Sequence, residues 1–160
     1  MIASASYERR YGAAQVDVST PSLEAAQAAI VENGIEVFRV KDQTIQLAER
    51  VRSHLMDASV SVRFAARPCI QFTVRAQNSD FPGTNAEEMF TKVRHATASR
   101  AQAHGFDESD SRCRPVHDPV DDSRVLDVWY ELTFSKETHD LAQLMEDLRW
   151  ALAVSKCVTR

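Results

Sequence analysis

The sequence predicts a single α+β domain in which helices cover one face of an antiparallel sheet. Three observations carry that prediction. Two segments, around Val60 to Val74 and Arg124 to Phe134, alternate apolar and polar residues with a period of two. Four others carry apolar stripes at helical spacing. No repeat, low-complexity tract or long linker divides the 160 residues, a length that suits one domain with a substantial core.

The elements follow in order. Gln15 to Val18 reads as a short strand. Thr20 then caps a helix over 21–33, with Pro21 at its first position and Asn33-Gly34 as its stop. Ile35 to Val40 reads as a strand. Asp42 caps a second helix whose stripe is Ile45, Ala48, Val51 and Leu55. Val60, Val62 and Phe64, then Ile70, Phe72 and Val74, form a hairpin around Pro68. Thr84 and Glu87 make a capping box for a third helix, buried through Met89, Phe90, Val93 and Ala101 and ended by Gly105. Arg124 to Phe134 is a long strand burying Leu126, Val128, Tyr130, Leu132 and Phe134. Ser135 caps the last helix, striped by Leu141, Leu144, Met145, Leu148 and Leu152.

Residues 35–118 thus run β-α-β-β-α-β, the order of a ferredoxin-like, split βαβ unit, with an extra N-terminal helix. The expected organisation is a flexible N-terminus over 1–12, one domain over 13–156 and a frayed tail over 157–160.

Composition narrows the function classes. A net charge of −4 and a pI near 5.7 argue against a dedicated nucleic-acid binder. No apolar run approaches the roughly 20 residues that span a bilayer, so no membrane partner is expected. Cys69, Cys113 and Cys157 are odd in number, widely spaced and without a CxxC. They suit a reducing compartment, and the expected location is cytoplasmic.

"CRPVHDPVDD", residues 113–122, gathers a thiol, an imidazole and three carboxylates. In an extended chain Cys113 and His117 lie about 13 Å apart, too far to share one zinc ion. The segment reads as a proline-interrupted edge strand followed by an acidic turn. "DESDSR" from Asp107 begins like a calcium loop, but Arg112 stands where the sharp turn needs Gly. No GxSxG, Walker loop or GxGxxG occurs, and no metal or cofactor is expected. Cys69 reads as a structural thiol.

Alternation instead singles out a surface. Opposite the buried positions lie Ser61, Arg63, Gln71, Thr73 and Arg75 from the hairpin, and Asp127, Trp129, Glu131 and Thr133 from the long strand. Trp and Arg dominate binding energies at interfaces. The expected site is therefore Arg63, Gln71, Thr73, Arg75, Trp129 and Glu131, holding another protein or a second copy in a non-enzymatic binding or assembly role of the chaperone, immunity, regulatory or assembly-factor kind. An alternative is a small-molecule enzyme with a pocket near residues 112–122 using His117, Asp118 and Asp121. A second alternative is single-stranded RNA on the sheet face, for which the aromatic and glycine pattern of RNA-binding platforms is absent.

Overall fold

The computed structural model describes residues 20–157, apart from the side chain of Cys157. The short strand expected at Gln15 to Val18, the 1–12 terminus and residues 158–160 lie outside the described residues. The elements are α1 (Leu23–Glu32), β1 (Val37–Lys41), β2 (Thr44–Val51), β3 (His54–Phe64), β4 (Pro68–Gln77), α2 (Ala86–Ala103), β5 (Asp107–His117), β6 (Val125–Glu137) and α3 (Leu141–Cys157), with a 3-10 turn at Asn78–Asp80.

The six strands form one sheet in the order β1-β2-β3-β4-β6-β5, each antiparallel to its neighbour. β4 and β5 flank β6 and therefore run parallel to each other, so α2 carries the chain across β6. The fold is α+β with three helices among the described residues.

The helix expected over 42–55 is instead β2 and the start of β3. A helical stripe can be drawn through Ile45, Ala48, Val51 and Leu55, but the segment also alternates. Ile45 and Leu47 are fully buried while Thr44 and Gln46 are not. The turns decide between the two patterns. Asp42 and Gln43 have φ of 50° and 58°, and Arg52 and Ser53 have 48° and 69°. Two consecutive left-handed residues make the tight connection that matches the twist of paired strands. With this segment in the sheet, β1 to β4 form a meander, and the ferredoxin-like order loses its first helix.

Three expected caps also shift. Ser22, not Thr20, caps α1, accepting from the Ala25 N–H at 3.1 Å. Asn85, not Thr84, caps α2, accepting from the Glu88 N–H at 2.9 Å. Ser135 stays in β6 because its neighbours pair with β4 through Lys136↔Ile70 and Glu137↔Cys69. Asp140 accepts from the Gln143 N–H at 2.8 Å at the start of α3. Ser22 and Asn85 are extended, and in each of the three cases the side-chain oxygen reaches a first-turn N–H, which depends on backbone placement and not on residue type alone.

The core lies between one sheet face and the helices. Phe72 on β4 sits at its centre, with its ring 5.2 Å from Phe106, 5.3 Å from Phe134 and 5.7 Å from Trp150. Met89 and Val93 of α2, Leu144 and Leu148 of α3, and Ala26 and Ile30 of α1 close over the same face. α1 rests against α3, with Arg149 donating to the Asn33 side chain. Tyr130, Leu132 and Phe134 are fully buried, but Leu126 is 52% exposed and Val128 only half-buried. β4 ends opposite Trp129, so β6 runs on beyond it with only β5 alongside.

One polar junction locks the layers together. Lys136 on β6 donates to Asp147 of α3 and to the His104 carbonyl at the end of α2, both at 2.9 Å. Gly105 makes room for it. At φ 79°, a Cβ there would stand 3.2 Å from the Lys136 Cε.

Candidate functional site

Because every described helix packs on the core face, the other face of the sheet carries no helix among the described residues. Strand alternation places its side chains, and the register sorts them into rows. Ser61 pairs with Gln71, and Gln71 with Ser135. Thr73 pairs with Thr133, and Thr133 with Asp110. Arg75, Glu131 and Arg112 form the next row, and Gln77, Trp129 and Arg114 the one after.

Five of the six residues expected from sequence, Gln71, Thr73, Arg75, Trp129 and Glu131, therefore fall on four consecutive rows. Arg63 is on the same face but at the other end. Its row passes through Cys69, about 26 Å along β4 from the Trp129 row at roughly 3.3 Å per residue.

Cross-strand contacts hold this face in shape. The Thr73 and Thr133 hydroxyls lie 2.9 Å apart. Arg75 reaches the Glu131 carboxylate at 3.1 Å and donates to the Ser59 hydroxyl at 2.9 Å. Arg112 pairs with Asp110 at 2.8 Å. Exposed pairs of this kind contribute only about 0.2–1 kcal/mol each, so their main effect is to orient the guanidinium groups.

The surface is concave around them. A depression of about 420 Å³ is lined by Thr73, Arg75, Glu131, Thr133, Asp110 and Arg112. A smaller one of about 170 Å³ shares Thr73 and Arg75 and continues to Ser59 and Ser61 on β3. Trp129, 38% exposed, stands at one end of the larger hollow between Gln77 and Arg114. Asp127, one turn of the pleat further, is tied to the 3-10 turn. The Ser79 hydroxyl at 2.7 Å and the Ser79 N–H at 3.1 Å donate to it, and the hydroxyl holds its carboxyl below the usual carboxylate range.

β5 also contributes to this face, which sequence reasoning did not assign to it. Asp110, Arg112 and Arg114 recur with a period of two, a signal that the surrounding polarity and Pro115 masked.

The 113–122 segment is an edge strand through His117 followed by a turn. Cys113 stands opposite Tyr130 and His117 opposite Val125, so the extended spacing between them holds. The carboxylates are engaged in closing the connection. Asp118 accepts from the Val120 N–H at 2.9 Å and lies 3.8 Å from the Arg124 guanidinium. Asp121 accepts from the Ser123 N–H at 3.0 Å and from its hydroxyl at 2.6 Å, which holds its carboxyl below the usual range. The hollows on the sheet face include Arg112 but not His117, Asp118 or Asp121. Among the described residues no group of three or more His, Cys, Asp and Glu side chains is placed to hold a metal ion. Burial pushes the Cys69 thiol above its ordinary pKa, with Arg63 opposing, so the neutral thiol prevails.

No described helix is long and apolar enough to cross a membrane. Comparison with known proteins gives no match to this chain, whether family models, curated proteins or solved structures.

Proposed function

We propose that the protein is a non-enzymatic binding or assembly domain that holds another protein on the open face of its sheet. The observation that supports this most is the segregation of layers. All three described helices lie on the core side, while the opposite face presents a hollow ordered by Thr73–Thr133 and Arg75–Glu131 beside a half-exposed tryptophan. Hydrogen-bonding side chains fixed by their neighbours, next to Trp and Arg, make a surface that a partner meets at low ordering cost. Chaperone, immunity, regulatory and assembly-factor roles are the classes this reading covers.

Site-specific photocrosslinking inside cells tests the reading. A photoreactive residue at Thr73 is expected to capture one defined polypeptide, and the same residue at Ser99 on the outer side of α2 is not. Trp129→Ala and Arg75→Glu are expected to abolish the adduct while leaving the thermal midpoint nearly unchanged. No adduct from Thr73, or equal capture from Thr73 and Ser99, refutes the proposal.

A further inference from the structure

We infer that β5 is a self-pairing edge, and that its occupant is the β5 of a second copy of this chain, related by a two-fold axis at Ser111. The inference is independent of what the open face holds. Among the described residues β5 is one of the two edges of the sheet, and it is exposed along nearly its whole length.

Backbone direction comes first. Pro115 pairs with Val128 but has no N–H to donate, so this is a non-hydrogen-bonded pair, and its backbone groups point away from β6. The period of two then turns the N–H and C=O of Cys113 and Ser111 outward as well. The register breaks at Glu108/Asp110 and again at Val116/His117, so the regular stretch runs from Asp110 to Arg114. Two irregularities and a proline thus leave one short window. Pairing is thereby confined to a few residues, and charge decides among the registers that remain.

Charge selects the occupant. A row of one sign would repel a second copy in either direction. Here Asp107, Glu108 and Asp110 precede Ser111, while Arg112 and Arg114 follow it. Antiparallel self-pairing sets unlike charges against each other, and parallel pairing sets like against like. The rows across the sheet sharpen the point. Arg75–Glu131–Arg112 alternates in sign and ends at the edge on a cation, while the adjacent row, Thr73–Thr133–Asp110, ends on an anion.

A two-fold axis at Ser111 brings each Arg112 opposite the other copy's Asp110, on the same open face. These fall in a non-hydrogen-bonded pair, where Cα atoms are about 4.5 Å apart and side chains are closest. An axis shifted to Arg112 would instead oppose two guanidinium groups. The isologous contact closes after two copies and joins their open faces into one continuous surface.

The test is sedimentation of the intact chain over a concentration series, with far-UV circular dichroism to verify folding. The wild type is expected to reach twice 18.0 kDa as concentration rises. Arg112→Glu is expected to weaken association about tenfold or more, since two favourable cross-strand pairs become unfavourable. The swap Asp110→Arg/Arg112→Asp is expected to restore it. Independently, Ser111→Cys, with Cys69, Cys113 and Cys157 changed to Ser, is expected to form a disulfide-linked dimer on mild oxidation. A chain that stays monomeric at every concentration overturns the inference. So does a dimer indifferent to Arg112→Glu, or a Ser111→Cys variant that does not cross-link.

Discussion

Lys136 and Asp147 offer the sharpest test of how the layers are held together. The two side chains are 21% and 5% exposed and meet at 2.9 Å. Asp147 also accepts from the Gln143 amide at 3.0 Å, yet its second oxygen is buried with no partner among the described residues. Lys136→Met leaves that carboxylate with one neutral donor and takes the cation from the His104 carbonyl. Removing one member of a buried pair costs about 3–5 kcal/mol, and the partial exposure of Lys136 lowers this to about 2–4 kcal/mol. In a chain of this size that corresponds to a fall of roughly 5–15 °C in the thermal midpoint. Asp147→Leu is expected to cost less, about 1–2 kcal/mol, because the long Lys136 side chain can extend to water. The double variant Lys136→Met/Asp147→Leu is expected to lie within about 1 kcal/mol of wild type, since the desolvation of both charges is relieved together. Chemical denaturation of the four proteins closes the cycle. A Lys136→Met variant as stable as wild type, or a double variant no better than the worse single one, refutes the reasoning.

Other sites give further expectations. Burial pushes the Tyr130 phenol from its ordinary pKa of 10.0 up to about 12, so the folded state keeps a proton that the unfolded state has lost. Stability therefore falls as pH rises from about 10 towards 12. Its hydroxyl has no partner among the described residues, so Tyr130→Phe is expected to be neutral or stabilising by up to about 1 kcal/mol and to flatten that alkaline slope relative to wild type in paired denaturation curves. Gly105→Ala places a Cβ at positive φ against Lys136 and is expected to cost about 1–2 kcal/mol by thermal melting. Asn85→Ala removes the α2 cap and is expected to cost about 1 kcal/mol, whereas Thr84→Ala is expected to cost less.

Much of the open sheet face was legible in the sequence. Thr73, Arg75, Glu131 and Trp129 share a side because alternation in a strand follows from backbone geometry, whichever strand lies alongside. The hairpin of Val60 to Val74 and the buried run Tyr130, Leu132, Phe134 were legible for the same reason. The segment from Asp42 to Leu55 was not. Its apolar residues satisfy a helical stripe and a half-buried strand equally well, and neither a glycine nor a proline marks its turns. β5 was legible as an edge, but not as a contributor to the hollow, because polar residues on both of its sides blur the alternation.

The sequence by itself determined an α+β chain and the side chains that turn together away from the core. It also determined the absence of any chain-local metal or nucleotide motif among its residues. Tertiary structure alone decided that residues 44–51 become a strand, because β1 and β3 pair with its backbone on both sides while Ile45 and Leu47 enter the core on the helix-covered face. It also decided the strand order, which sets Arg112 beside Glu131 and ends one charged row at an open edge. The physical reason is the same in both cases. Local periodicity specifies which way a residue faces, while pairing between segments distant in sequence specifies what it meets.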